Sequence, residues 1–195
     1  MILYFIFITS YLTGSLSSAI IVCRVAGLPD PRTQGSGNPG ATNVLRFGSK
    51  RIAAIVLLSD GLKGAIPVLF AKYQLDLTLF PICLVAFFAF LGHLYPVFFH
   101  FKGGKGVATY LGALIAINYL AGLIFSLVWL LVAKVLKISS LSALIATILS
   151  PFYFYFLTNN LKATLVICLI CLLIFYTHRS NIKRLINKEE DIIQS

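Results

Sequence analysis

Residues 106–136 read GVATYLGALIAINYLAGLIFSLVWLLVAKVL, and whether they cross a membrane once or twice decides the topology of the whole chain. A spanning helix needs roughly 20 apolar residues, with fewer tolerated where the bilayer thins or protein shields the segment. The run divides at Asn118-Tyr119 into 106–118 and 119–136, or forms one long helix bent there. Working outward, further spans are predicted near 3–23, 52–71, 78–99, 141–158 and 161–177. Cationic side chains decide between the two readings, because loops on the cytoplasmic side carry an excess of Lys and Arg. With seven spans and the N-terminus outside, Arg24, Arg32, Arg46, Lys50, Arg51, Lys102, Lys105, Lys134, Lys137, Arg179, Lys183, Arg184 and Lys188 fall inside. Only Lys72 and Lys162 fall outside, and Lys63 lies within a span. A single span over 106–136 would move Lys134 and Lys137 outside and reverse the C-terminal cluster too. The expectation is an all-α polytopic integral membrane protein of seven transmembrane helices, N-terminus outside and C-terminus cytoplasmic. It would form a single membrane-embedded domain over 1–195.

The composition agrees. With 59% hydrophobic residues, a mean hydropathy of +0.94 and 11% charged residues, the 195-residue chain is too apolar for a soluble domain. The first apolar stretch has no basic residue before it and meets Arg24 after it, the wrong charge order for a cleaved signal peptide, so it is expected to remain as an anchor. Cys23, Cys83, Cys168 and Cys171 are scattered through apolar segments and read as small buried hydrophobes. The formal charge of +10 is spread over short loops instead of forming one patch, which speaks for membrane orientation and against nucleic acid.

Four clusters of charged and small polar residues interrupt the apolar chain, and the seven-span topology puts all four on one membrane face. They are Gly35-Ser36-Gly37-Asn38-Pro39-Gly40-Ala41-Thr42-Asn43 with Arg46; Gly92-His93 through Lys102-Gly103-Gly104-Lys105-Gly106; Ser139-Ser140-Leu141-Ser142; and His178-Arg179-Ser180-Asn181 with Lys183 and Arg184. Gly35, Gly37 and Gly40 allow a left-handed turn whose amides can form an anion-binding nest, with Ser36, Asn38, Thr42 and Asn43 adding side-chain hydrogen bonds. An ordinary Gly/Asn/Pro turn has the same composition. If Val107 opens a helix, Lys105 sits beside its N-terminal amides, where ammonium and dipole act on one anion. The alternative for Lys102 and Lys105 is contact with lipid headgroups. His178 and Asn181 share a face if their helix continues past the membrane.

Other polar residues read as structural. Asp60 and Lys63 lie on one helical face and are expected to neutralise each other within the second span, which Pro67 would bend. His93, at the end of a span, is either a hydrogen-bonded structural residue or a base. Glu189-Glu190-Asp191 reads as a solvated acidic end. No Ser/His/Asp triad, Gly-x-Ser-x-Gly elbow or His-x-x-x-x-Asp pattern is present, so a base mechanism lacks its parts.

The runs GSGNPGATNVLR (35–46) and GHLYPVFFHFKGGKGVAT (92–109), with Asp60-Gly-Leu-Lys63-Gly64 through Pro67, Ser140-Leu141, and His178-Arg179-Ser180-Asn181-Ile182 with Arg184-Leu185, are specific together. By them the chain closely resembles the bacterial acyl-phosphate:glycerol-3-phosphate acyltransferase family, PlsY, over nearly its whole length. The resemblance implies transfer of a fatty acyl group from acyl phosphate to the 1-hydroxyl of glycerol 3-phosphate, giving lysophosphatidic acid and phosphate for phospholipid biosynthesis. It implies Ser36, Arg46, Lys105 and Asn181 as the catalytic set, with Gly35, Gly37, Asn38, Gly40, Thr42, Asn43, Gly103, Gly104, Ser140 and His178 binding substrate. Ser36 and nearby glycine amides would hold the acyl phosphate, Arg46 and Lys105 the acceptor's phosphate, and His178 and Asn181 the glycerol end. A phosphate oxygen would take the hydroxyl proton, with no metal or cofactor. Two departures stand out: Ser140-Leu141-Ser142-Ala143 replaces the family's Ser-Leu-Ala-Ser, and Asn187-Lys188 stands where a Gly is usual before the terminal acidic residue.

The implied setting is a bacterial inner membrane, with the active site towards the cytoplasm. Membrane lipid surrounds a monomer, and a separate enzyme supplies the acyl phosphate. A transporter for a phosphorylated metabolite fits less well, since transporters place substrate groups near the midplane and only Asp60 and Lys63 are candidates there. A non-catalytic scaffold would not need glycine turns matched with cations in several loops.

Overall fold

The computed structural model describes residues 1–193. Among these every regular element is helical: α1 (Ile2–Gly14), α2 (Ser18–Val25), α3 (Ala41–Phe47), α4 (Lys50–Tyr73), α5 (Leu79–Leu94), α6 (Val107–Ile117), α7 (Tyr119–Leu136), α8 (Ser139–Thr158), α9 (Leu161–Thr177) and α10 (Arg179–Ile186), with a 3₁₀ turn at Val97–Phe99. Four segments are long and apolar enough to cross a membrane, namely Lys50–Tyr73, Leu79–Phe99, Tyr119–Leu136 and Ser139–Thr158. The number rises to six if α1 with α2, and α9 with α10, each form one bent span.

The run 106–136 is two helices. Asn118 takes extended backbone (φ −146°, ψ 109°), and its Oδ1 caps α7 by accepting from the Ala121 amide at 3.0 Å. A Cβ on Gly122 would run into Ile115, so α7 folds back along α6. The first predicted span, 3–23, is not one helix: it breaks between Gly14 and Ser18, with a 42° bend. Gly and Ser pairs are a recognised cause of such breaks. The freed Leu16 carbonyl accepts a hydrogen bond from Lys63 Nζ at 2.8 Å, meeting the need to satisfy backbone groups away from water.

Helix α4 shows how the bilayer inverts the usual amphipathic pattern. Leu58, Leu62, Ile66 and Leu69 face outward, while Asp60, Lys63 and Gly64 are buried. Pro67 lies inside α4, which continues through it as one helix. Glycines set the α4–α6 spacing: a Cβ on Gly112 would overlap the Gly61 carbonyl, and one on Gly64 the Thr109 carbonyl. Without a hydrophobic drive between helices in lipid, this backbone approach is what packs them. The core is filled by Phe90, Leu114, Phe125, Phe154, Ile167 and Tyr110. The Tyr110 hydroxyl donates to Ser150 Oγ at 2.7 Å, and its ring meets Phe125 edge-on.

Helix α9 does not run on past His178. The chain turns by 60° into the short α10, which swings its residues back over the loop ends.

Candidate functional site

All four polar clusters meet at one end of the bundle. Thr42 Oγ1 lies 3.3 Å from Ser139 Oγ, Lys105 Nζ donates to Asn181 Oδ1, and Ser140 Oγ reaches the tail after α10. This brings residues more than 140 positions apart into one polar patch.

The first loop is shaped by Asn43. Its Nδ2 donates to the carbonyls of Pro31 (2.8 Å) and Gln34 (2.9 Å), and its Oδ1 accepts from the Ser36 amide (2.8 Å). Gly35 has a φ of +53°, and a Cβ there would strike that Oδ1. Asn43 is 2% exposed with all these groups committed, so it braces the loop from within. The expected nest of amides is corrected on the same grounds. The Ser36 amide is taken by Asn43, that of Gly37 by the Gln34 carbonyl and that of Gly40 by the Asn38 carbonyl. Rigid in this way, the loop presents Ser36 and Thr42 at the surface and Arg46 one turn along α3.

The second loop approaches from α5. Helix α6 does open at Val107, with Gly106 before it at a φ of +86°. Gly103 and Gly104 press on the backbone and ring of His93, where a Cβ on either would collide. Lys105 is thereby turned towards α10, and its carbonyl accepts from Thr177 Oγ1 at 3.3 Å. An open cleft beside it is lined by Asn38, Lys102, Gly103, Gly104, Lys105 and Arg179. Arg179, read from sequence as an anchor, lies over the Tyr176 ring and donates to its carbonyl at 3.0 Å, which directs it along this cleft.

The acidic end is not simply solvated, contrary to the sequence reading. Glu190 accepts from Ser140 Oγ (2.7 Å), Asn181 Nδ2 (2.6 Å) and Arg184 Nε (2.6 Å), and its side chain is only 6% exposed. Asp191 pairs with Arg46 at 2.8 Å. The turn that returns the tail places the Glu189 amide on the Arg184 carbonyl and the Lys188 amide on the Leu185 carbonyl. Lys188 holds the left-handed conformation there (φ +59°), the position where glycine ordinarily ends a helix. A residue with a Cβ is strained in that backbone conformation. Sequence reasoning missed Glu190 because a charged tail usually stays in water and its partners Ser140 and Asn181 lie elsewhere in the fold.

Charge states follow from this packing. Burial pushes the Lys105 ammonium down to about 8, against an opposing pull from Glu190, with Arg184 and Arg46 adding to the depression. Burial likewise lowers His178 to about 4, reinforced by Lys105, so its imidazole is neutral. Its Nδ1 donates to the Ile174 carbonyl at 2.8 Å, which leaves Nε2 as an acceptor. Burial would raise the Glu190 carboxyl, but its bonds from Ser140, Asn181 and Arg184 prevail and hold it below the ordinary range. Ser142 turns to the Ile138 carbonyl of its own helix at 2.7 Å and stays out of the site. The arrangement is a cationic, hydroxyl-rich patch suited to phosphate groups, with no strong base in it.

The glycerol-3-phosphate acyltransferase family model matches residues 4–188. A glycerol-3-phosphate acyltransferase of Ruthia magnifica subsp. Calyptogena magnifica is 66% identical over 184 residues, covering 94% of this chain and 93% of its own length. One from Hydrogenovibrio crunogenus is 54% identical over 186 residues, covering 95% and 88%. The crystal structure of PlsY, an integral membrane glycerol 3-phosphate acyltransferase, in its glycerol 3-phosphate form matches with a TM-score of 0.93 at 36% identity, covering 100% of this chain and 96% of that one. The lysophosphatidic acid form matches with a TM-score of 0.90, also at 36% identity, covering 98% and 95%.

Proposed function

Because the chain belongs to the glycerol-3-phosphate acyltransferase family, we propose that it transfers a fatty acyl group from acyl phosphate to the 1-hydroxyl of glycerol 3-phosphate. The acceptor oxygen bonds to the acyl carbon, the bond from that carbon to the phosphate oxygen breaks, and lysophosphatidic acid and inorganic phosphate leave. The hydroxyl proton passes to a phosphate oxygen. The observation that carries this reading is the gathering of Arg46 and Arg184 near Lys105, which donates to the buried Asn181 and lies close to buried, neutral His178. Such a site holds two anions together and offsets their repulsion, while a mixed-anhydride donor supplies a good leaving group and lessens the need for a base.

In this reading Arg46 and Lys105 hold the acceptor's phosphate and Ser36 meets the donor's phosphate. Asn38 and the Gly103-Gly104 backbone line the cleft beside Lys105, Thr42 lies against Ser139, and Ser140 holds the tail through Glu190. His178 Nε2 and Asn181 orient the glycerol end. Seven spans with the N-terminus outside and the site towards the cytoplasm are supported by the reversal at Asn118 and by the bias of thirteen basic residues against two across the predicted faces. The chain would work as a monomeric single domain in a bacterial inner membrane, fed by an enzyme that makes acyl phosphate.

The test is phosphate release from palmitoyl phosphate by purified protein, with and without glycerol 3-phosphate, beside Ser36→Ala and Lys105→Ala. Release that requires glycerol 3-phosphate, matched by lysophosphatidic acid and lost in both variants, is expected. Near-normal turnover in Lys105→Ala would sink the assignment. Saturable uptake of glycerol 3-phosphate into vesicles without turnover would make the protein a transporter.

A further inference from the structure

Asp60, Lys63 and His93 are 3%, 5% and 7% exposed, and the chemistry above uses none of them. Lys63 Nζ lies 2.8 Å from Asp60 Oδ1. Removing two charges from water costs several kcal/mol per ion before their attraction returns any of it, and apolar residues of similar size often hold helices as well. Ionisable groups at membrane depth usually mark function.

The contacts of this cluster say what that function is. On one side Lys63 holds the Leu16 carbonyl at the break between α1 and α2. On the other, His93 Nδ1 lies 3.2 Å from Thr109 Oγ1 and 3.6 Å from Asp60 Oδ1. The opposite edge of the ring, Nε2, fills the space that a Cβ on Gly104 would occupy, and the His93 carbonyl accepts from the Gly104 amide at 3.2 Å. The imidazole is thus held from behind by Thr109, with the Asp60 carboxylate in charge contact at 3.6 Å, and forms the floor on which Gly104 rests, one residue before Lys105. Contact of the Gly64 site with the Thr109 carbonyl removes slack between α4 and α6, fixing Asp60 and Thr109 relative to each other.

We propose that Asp60, Thr109 and His93 are positioning residues that seat the Lys102–Gly106 loop and so place Lys105 against the acceptor's phosphate. The inference rests on the reading of Lys105 as a phosphate ligand. It sets the three residues apart from helix-packing residues, because their loss should move one substrate's affinity more than the protein's stability.

The experiment measures KM for glycerol 3-phosphate, KM for palmitoyl phosphate and the thermal midpoint for Thr109→Val, Thr109→Ser and His93→Asn. Lys105→Ala serves as the reference. Thr109→Val keeps the side-chain volume and removes one buried hydrogen bond, so KM for glycerol 3-phosphate should rise by up to about tenfold. KM for palmitoyl phosphate should stay near the parent's, the midpoint should fall by no more than about a few degrees, and Thr109→Ser should restore the acceptor KM. His93→Asn should act in the same direction and more strongly; if it fails to fold, the Thr109 pair alone decides. Parental acceptor KM in Thr109→Val overturns the proposal, as does a joint shift of both KM values and the midpoint. An unchanged acceptor KM in Lys105→Ala would instead defeat the reading of Lys105.

Discussion

Raising the pH from 7 to 9 should weaken acceptor binding through Lys105 alone. Its ammonium titrates at about 8 in the ligand-free site, so roughly nine-tenths is charged at pH 7 and roughly one-tenth at pH 9. The bound phosphate favours the charged form, so the interaction is nearly complete at pH 7 and is lost progressively as the pH rises through 8. The acceptor's phosphate has its second pKa near 6 and keeps its charge over this range. KM for glycerol 3-phosphate should therefore rise by about tenfold between pH 7 and pH 9, the ratio of the two ammonium fractions. The assay is steady-state phosphate release in detergent at saturating palmitoyl phosphate, corrected for spontaneous donor hydrolysis at each pH. Lys105→Arg supplies the control, since a guanidinium stays charged throughout and should flatten the profile. A flat KM in the parent, or a tenfold rise that persists in Lys105→Arg, would refute the argument.

Other substitutions probe the tail and the packing. Glu190→Ala leaves Ser140, Asn181 and Arg184 without their acceptor, and should lower the thermal midpoint and raise KM for glycerol 3-phosphate by about fivefold to 150-fold, from a loss of roughly 1–3 kcal/mol. Asp191→Asn frees Arg46 from an exposed ion pair worth at most about 1 kcal/mol, so acceptor KM should fall by no more than about fivefold in a titration at low salt. Lys188→Gly relieves a left-handed backbone and should stabilise the protein by roughly 1 kcal/mol, read as a higher thermal midpoint. Gly64→Ala drives a methyl group into the Thr109 carbonyl and should cost about 1–3 kcal/mol, seen as a lower midpoint or loss of folded protein in detergent.

Much of this was readable from local chemistry. Asn118 both divides an apolar run and caps the helix that follows it, and Asn160 does the same for α9, so short-range hydrogen bonding marks those boundaries. The glycine-rich clusters announced the polar end. What stayed hidden depends on distant partners. Nothing beside Asn43 in the sequence says that its side chain would consume the Ser36 amide seven residues back. The break after Gly14 had only a weak Gly/Ser signal and relies on Lys63, 47 residues from Leu16, to satisfy it. Glu190 looked solvated because its hydroxyl partner lies 50 residues away on α8. The expected continuation of α9 into α10 failed at the 60° turn, yet His178 and Asn181 are still buried together because the turn folds them inward.

The shortness of α6 has a consequence for how two unlike substrates meet. Gly61, which faces Ala108 in the first turn of α6, is preceded by eleven residues of α4, or roughly 16 Å of helix on the site's side of that contact. Lys105 lies at this end beside the open cleft lined by Asn38, Lys102 and Arg179. In the proposed reaction a water-soluble acceptor would enter through this cleft, while a fatty donor would approach with its tail still in the leaflet. Each methylene that stays in hydrocarbon avoids about 0.8 kcal/mol of exposure, which would favour a donor whose tail stays in the bilayer while its head reaches the cleft.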